Sequence, residues 1–109
     1  MLPEQDEFRK DVTKLLQEIS GIGFLIHGTL RKHYMKCGHP GCKCHSEPPQ
    51  LHGPYYDWTR KVDGKTKTIR LTEEQSLLIE KWISNMRRVE IIINKVEKLS
   101  LAAFEKIKK

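Results

Sequence analysis

The three cysteines of this 109-residue chain lie in one short segment, and a histidine follows them. Cys37, Cys42 and Cys44 form a C-x4-C-x-C pattern, and seven residues separate Cys44 from His52. Thiolates and imidazoles are the ligands that tetrahedral Zn²⁺ prefers in proteins. The pattern therefore predicts one zinc ion bound by Cys37, Cys42, Cys44 and His52, with iron as the alternative metal for such a set. Four protein ligands would close the site, which is typical of a structural metal.

Several histidines near the cysteines compete for the fourth ligand position. His52 is favoured because Gly53 and Pro54 follow it and predict a fixed turn that directs the imidazole back to the cysteines. His45 is the second candidate. Disulfides are disfavoured because three cysteines cannot pair evenly and the acidic N-terminal residues do not resemble a secretory signal. We therefore expect a cytoplasmic protein, and no apolar segment is long enough to predict a membrane contact.

The segment after the cysteines predicts a basic β-hairpin over residues 55–71. Asp63-Gly64 lies between two β-prone segments and is a strong signal for a two-residue hairpin turn. A third strand is expected at residues 29–36, which gives a small antiparallel sheet with the zinc knuckle inserted between its first and second strands. Asp57, in a basic strand, is expected to form a salt bridge, and Trp58 is expected to pack in the core.

Charge is concentrated on this central part of the chain. Residues 28–70 contain nine basic and three acidic side chains, an excess that equals the net charge of +6 of the whole chain. A cluster of cations beside aromatic residues is typical of a nucleic-acid-binding surface. The candidate contacts to nucleic acid are Arg31, Lys32, Arg60, Lys61, Lys65, Lys67 and Arg70. The pattern does not distinguish a duplex from a single strand, because ribbons fit the major groove and aromatics stack on unpaired bases.

Two predicted helices flank the sheet. The first spans residues 1–20, from about Pro3 to Ser20 in its regular part, and Gly21 and Gly23 end it. The second spans residues 72–109 and begins with a capping box formed by Thr72 and Gln75. Apolar residues repeat along it at alternating spacings of three and four, as in a coiled coil. This stripe predicts a homodimer with an interface of Trp82, Met86, Val89, Ile93 and Val96. The alternative is a monomeric helical hairpin.

The motifs in this order resemble a family of small prokaryotic and mobile-element proteins whose domain is of unknown function. The resemblance rests on Cys37-Gly-His-Pro-Gly-Cys42-Lys-Cys44, on His52-Gly-Pro-Tyr-Tyr56 and on the basic hairpin, and it covers about residues 28–90. It implies a zinc-binding domain in which the cysteines and His52 match the family's ligand pattern. It implies no substrate and no partner.

Together these patterns predict a single α+β domain over residues 1–109, with a zinc-braced sheet at residues 28–71 between the two helices. The favoured function is a small accessory or regulatory protein that binds nucleic acid, more readily DNA than RNA, through its basic hairpin. The alternative is a protein-interaction adaptor that acts through the long helix. No phosphate-binding loop, nucleophile elbow or metalloprotease helix is present, so we expect neither an enzyme nor a small-molecule substrate.

Overall fold

The structure is a computed structural model that describes the backbone of residues 3–108 and the side chains of residues 6–108. The predicted helical segments reach residues 1, 2 and 109, which lie outside this range. The predicted α+β architecture is confirmed. Its elements are helix α1 (Pro3–Ser20), strand β1 (Thr29–Met35), a short 3-10 helix (Lys43–His45), strand β2 (His52–Val62), strand β3 (Lys65–Leu71) and helix α2 (Glu73–Ile107).

The three strands form one antiparallel sheet in the order β1-β2-β3. The Asp63-Gly64 turn has φ values of 51° and 79°, and Val62 pairs with Lys65 across it. Two positive φ values in a two-residue loop match the right-handed twist of a hairpin. The predicted hairpin is therefore confirmed, although β2 begins at His52 rather than at Tyr55. The segment that carries the three cysteines lies between β1 and β2, as the sequence predicts.

One face of the sheet packs against the first turns of α2. Trp58 is only 8% exposed and forms the core with Ile79 and Ile83, and Leu30 and Leu71 pack around it. The indole Nε1 of Trp58 donates to the carbonyl of His27 at 3.1 Å. The chain passes so close here that a Cβ on Gly28, which has φ of 139°, would lie 2.2 Å from that nitrogen. Only glycine fits this crossing.

Helix α2 begins as the sequence predicts. The Thr72 hydroxyl accepts from the Gln75 backbone N–H at 3.1 Å, and the Gln75 side chain accepts from the Thr72 N–H at 2.9 Å. This reciprocal capping box satisfies two backbone donors that would otherwise lack a partner in the first turn. Neither described helix is both long and apolar enough to span a membrane.

The described chain divides into two compact units. The sheet unit comprises residues Ile26–Ile83, and the helical unit comprises α1, the loop to Leu25 and α2 from Ser84 onward. In the helical unit the helices run antiparallel, because Lys106 pairs with Glu7 and the Asn85 amide donates to the Phe24 carbonyl. The single domain that the sequence predicts stays a prediction.

Candidate metal centre and basic sheet

The structure brings together the four predicted metal ligands. The thiol sulfurs and the His52 imidazole all lie within 4.8 Å of one another. Cys37 Sγ is 3.4 Å from Cys44 Sγ, and Cys42 Sγ is 3.1 Å from His52 Nε2. Around a tetrahedral zinc with Zn–S bonds of about 2.3 Å, two sulfurs would lie about 3.8 Å apart. The donor set and its dimensions therefore fit a metal ion of this size.

Short elements hold the ligands in place. Cys37 follows the end of β1, Cys44 lies in the 3-10 helix, and His52 is the first residue of β2. The Gln50 and Ser46 backbone N–H groups both donate to the Lys43 carbonyl at 3.0 Å and close the loop on itself. The site thus joins the ends of two paired strands through a segment that has little apolar packing of its own.

Two thiols of the cluster have shifted pKa values, in opposite directions. Cys44 is fully buried, and this burial raises the pKa of its thiol. The Cys44 backbone N–H donates to the Cys42 sulfur and, with the other hydrogen bonds of the cluster, lowers the pKa of Cys42 to about 6. A thiol with a lowered pKa binds metal more readily because the thiolate is the ligand. The lowered pKa of Cys42 therefore favours metal binding at this sulfur, whereas the raised pKa of Cys44 disfavours its thiolate.

The other candidate for the fourth ligand is directed elsewhere. The His45 Nε2 nitrogen donates to the Cys37 carbonyl at 2.8 Å. The described residues that converge on a single point are Cys37, Cys42, Cys44 and His52, and His45 is not among them. The structure therefore supports His52 in the position that the H-G-P turn suggested.

The turn after His52 requires glycine at position 53. The register between β1 and β2 shifts between His33 and Met35, where β2 accommodates an extra residue. Gly53 has φ of 133°, and a Cβ there would lie 2.9 Å from the Tyr34 ring and 3.0 Å from the His33 carbonyl. Both the backbone conformation and the close approach exclude a side chain.

Gly53→Ala is expected to displace His52 and to weaken the metal site. Strain at such a position costs about 1–3 kcal/mol. We expect a lower melting temperature and weaker zinc retention against a chelating dye. Gly38→Ala is the matched control, since nothing described lies within 4 Å of its Cβ position. Equal zinc retention in the two variants would contradict this role of Gly53.

A known protein family matches most of the chain, including the candidate metal site and the sheet. The profile of the family described as a domain of unknown function (DUF6788) matches residues 4–81. The chain belongs to this family. No curated protein and no solved structure matches the chain significantly. In this DUF6788 chain the matched range contains the metal cluster, the whole sheet and the start of α2.

Strand alternation divides the predicted nucleic-acid contacts between two faces of the DUF6788 sheet. The face that packs on α2 is here called the inner face, and the opposite one the outer face. The register places Lys32, Arg60, Lys65 and Lys67 on the inner face with Trp58, and Arg31, Lys61 and Arg70 on the outer face with Asp57. A ligand that lies on one face of the sheet therefore cannot contact all seven of the predicted nucleic-acid-binding residues.

Two of the seven cations already have partners. The Arg60 guanidinium lies over the Trp58 ring, 4.2 Å from its centroid, and its Nη1 is buried without a hydrogen-bond partner in the described part of the chain. Arg70 pairs with Asp57, the salt bridge that the sequence predicts, at 3.0 Å. The other five candidates, Arg31, Lys32, Lys61, Lys65 and Lys67, are exposed and form no ion pair with a described side chain.

The outer face also holds a cluster of which the sequence predicted only the salt bridge of Asp57. The His33 ring nitrogen Nε2 donates to the Asp57 carboxylate at 2.6 Å, and the His33 and Tyr55 rings lie 5.8 Å apart. Hydrogen bonds from Arg70 and His33 lower the pKa of Asp57. The hairpin turn in the sequence could have predicted the contact of Asp57 with Arg70, because a two-residue loop at 63–64 sets a register in which these two residues pair.

Proposed function

We propose that this DUF6788 protein is a zinc-braced nucleic-acid-binding protein, with DNA favoured over RNA. The observation that supports it best is the state of three lysines on the β2–β3 hairpin. Lys61, Lys65 and Lys67 are exposed, and none forms an ion pair with a side chain in residues 6–108. Cations held on a rigid ribbon without an acidic partner are suited to phosphate contacts.

The proposed role of zinc is structural. A metal at the cluster would tie the end of β1 to the start of β2 and so fix the base of the hairpin. All four ligands would come from the chain, which leaves no coordination position for a substrate. In this proposal the metal shapes the basic surface and takes no part in chemistry.

Salt dependence is the experiment that tests this function. The affinity for a fluorescent mixed-sequence strand and for its duplex would be measured between about 50 and 200 mM salt, a range over which each phosphate contact lowers the affinity by about threefold. A steep linear fall of log affinity with log salt supports nucleic-acid binding. Absence of binding at 50 mM salt would refute it.

Small size and the resemblance to mobile-element proteins support an accessory or regulatory role in a prokaryotic cytoplasm. Detection of one zinc per chain by native mass spectrometry, with and without DNA, would report the metal and the complex in a single measurement.

We also propose that the helical unit forms a homodimer, as the sequence predicts. Of the five interface candidates, Val89 is buried within the chain, and Trp82, Met86 and Val96 are half-buried. Trp82 packs against the Trp58 cluster. Of the five candidates, Ile93 stays exposed. Phe104, also exposed, lies on the same side of α2, because the step of eleven residues from position 93 to position 104 completes about three turns. These two residues would form the centre of a twofold contact.

Ile93→Glu is expected to convert a dimer to a monomer in sedimentation equilibrium at micromolar concentrations. A charge placed in an apolar contact is costly because it must lose its hydration. Ile91→Glu is the matched control. Ile91 is 55% exposed and Ile93 is 49% exposed, but Ile91 lies on the opposite side of the helix, because two residues turn an α-helix by about 200°. A parent protein that is monomeric throughout, or equal effects of the two changes, would contradict this interface.

A second candidate function is an adaptor that binds another protein. It is favoured by exposed apolar side chains along the helical unit, among them Leu16, Ile93, Leu101 and Phe104. In that case the zinc site would still stabilise the sheet unit, but the affinity for DNA would be weak at every salt concentration.

A further inference from the structure

The outer face of the sheet is polar, and several of its side chains are exposed. Its cross-strand rows combine an arginine, a carboxylate and an arginine (Arg31, Asp57, Arg70), three threonines (Thr29, Thr59, Thr68), and a histidine with a tyrosine (His33, Tyr55). The Thr59 and Thr68 hydroxyls are hydrogen-bonded at 2.9 Å. The apolar packing of the strands involves the inner face, which leaves the outer face without a role in the core of the sheet unit.

Arg70 is held on this face in a fixed orientation. Its guanidinium lies over the Tyr55 ring, 4.4 Å from the centroid, while its Nε donates to Asp57 Oδ1 at 3.0 Å. The guanidinium thus contacts the ring and is tied to the carboxylate through its Nε. The Arg70 side chain nevertheless stays half exposed.

Asp57 is fixed in its turn by a second donor. His33 Nε2 contacts the other carboxylate oxygen, Oδ2, at 2.6 Å, so both oxygens have partners. The Asp57 side chain is only 17% exposed, which limits competition from water for these bonds. The cluster therefore orders Arg70 before any ligand arrives, and a preorganised side chain loses less entropy on binding.

We infer that the Arg70–Tyr55 pair is a stacking platform for an unpaired base of a single-stranded nucleic acid. This inference rests on the proposed function and adds the form of nucleic acid that is bound. A guanidinium plane stacks on nucleobases, and the planes of bases are accessible only where the strand is unpaired. The base would stack on the exposed part of the Arg70 guanidinium, beside the ring of Tyr55.

Neighbouring groups suit the backbone of the same strand. Arg31 and Arg70 lie in the same cross-strand row with β2 between them, which places their backbones about 10 Å apart. The Arg31 side chain is exposed and forms no ion pair with a described side chain. Lys61 lies on the same face toward the hairpin turn. One base platform flanked by two exposed cations is the arrangement that single-strand-binding surfaces use.

Arg70→Lys isolates the stacking contribution, because it keeps the charge and removes the planar guanidinium. Fluorescence anisotropy would compare a 15-nucleotide mixed-sequence DNA strand with an abasic strand of equal length and charge. Loss of one stacked base lowers affinity by about 5- to 150-fold. We expect a loss in this range for the mixed-sequence strand and a change of less than about twofold for the abasic strand. Tyr55→Leu, which alters no charge, is expected to give the same pattern.

Arg87→Lys is the matched control, since Arg87 is an exposed arginine on α2 outside the sheet unit. It is expected to bind both strands as the parent does. Circular dichroism and the melting temperature would establish that all variants fold, and Tyr55→Phe, which keeps the ring, should retain the parent affinity.

The outcomes separate this inference from the proposed function. If the parent binds strand and duplex equally and Arg70→Lys changes neither, the platform is refuted while nucleic-acid binding stands. If Arg70→Lys weakens the abasic strand as much as the normal one, Arg70 is a phosphate contact and the stacking role is refuted. If the parent binds no nucleic acid at low salt, both proposals fail.

Discussion

Removal of the metal is expected to unfold the segment between β1 and β2 and to lower the melting temperature by more than about 10 °C. A structural zinc site contributes on the order of 10 kcal/mol to the folding of a small zinc domain. The segment from Cys37 to Leu51 contains the fully buried Cys44 but otherwise little apolar packing. Without a metal, hydrogen bonds among thiols would be the main link between its ends. Chelation followed by hydrogen exchange would show whether protection is lost in this segment first.

Single substitutions in the cluster test which of its residues bind the metal. Cys44→Ser and His52→Ala are each expected to abolish stoichiometric zinc in native mass spectrometry, because each removes one of the four converging ligands. His45→Ala is the control, since the His45 ring bonds to the Cys37 carbonyl and not to the thiols. Zinc retained by His52→Ala and lost by His45→Ala would overturn the assignment of the fourth ligand. A folded, equally stable zinc-free parent would refute the structural role of the metal.

Charge reversal on the hairpin, Lys65→Glu with Lys67→Glu, is expected to lower nucleic-acid affinity by at least about 100-fold at low salt. Each phosphate contact contributes about 0.7–0.9 to the slope of log affinity against log salt, so two lost contacts should reduce this slope by about 1.5. Both side chains are exposed, which makes a loss of folding unexpected. The affinity and the slope would be measured by anisotropy titration at several salt concentrations.

The control for this prediction changes the overall charge equally. Lys10→Glu with Lys14→Glu alters two exposed lysines of α1, in the helical unit. We expect only a small, salt-screened loss of affinity from the altered net charge. If the two double variants weaken binding equally, the hairpin is not the contact surface, and a folded hairpin variant that binds as the parent does would refute the assignment directly.

The predictions for the two proposed surfaces are independent. The lysine reversal tests cations at the hairpin turn, whereas Arg70→Lys tests one planar group on the outer face. A strand that uses both surfaces should lose affinity in each variant, with a change of salt slope only in the lysine variant. A duplex held by the hairpin alone should respond only to the lysine reversal.

The sequence by itself determined the elements of this protein and the four residues of its candidate metal site, because both depend on local chemistry. Asp63-Gly64 requires positive φ values and so sets the hairpin, and Thr72 with Gln75 sets the start of α2. The cysteine spacing and the His52-Gly53 turn predict the four residues that the structure brings within 4.8 Å of one another. These signals lie within a few residues of one another, where sterics and hydrogen bonding decide the conformation.

Only the tertiary structure decided which side chains share a surface. Lys65 and Lys67 lie on the inner face of the sheet and Arg70 on the outer face, because side chains alternate along β3. In the sequence the three residues belong to one basic segment. Burial of Val89 within the chain leaves Ile93 as the exposed interface candidate, which the heptad pattern could not distinguish. The link from His33 through Asp57 to Arg70 crosses three strands, and the bulge at Gly53 sets which residues of β1 and β2 meet. Such contacts depend on register and packing between distant segments, and no local pattern contains that information.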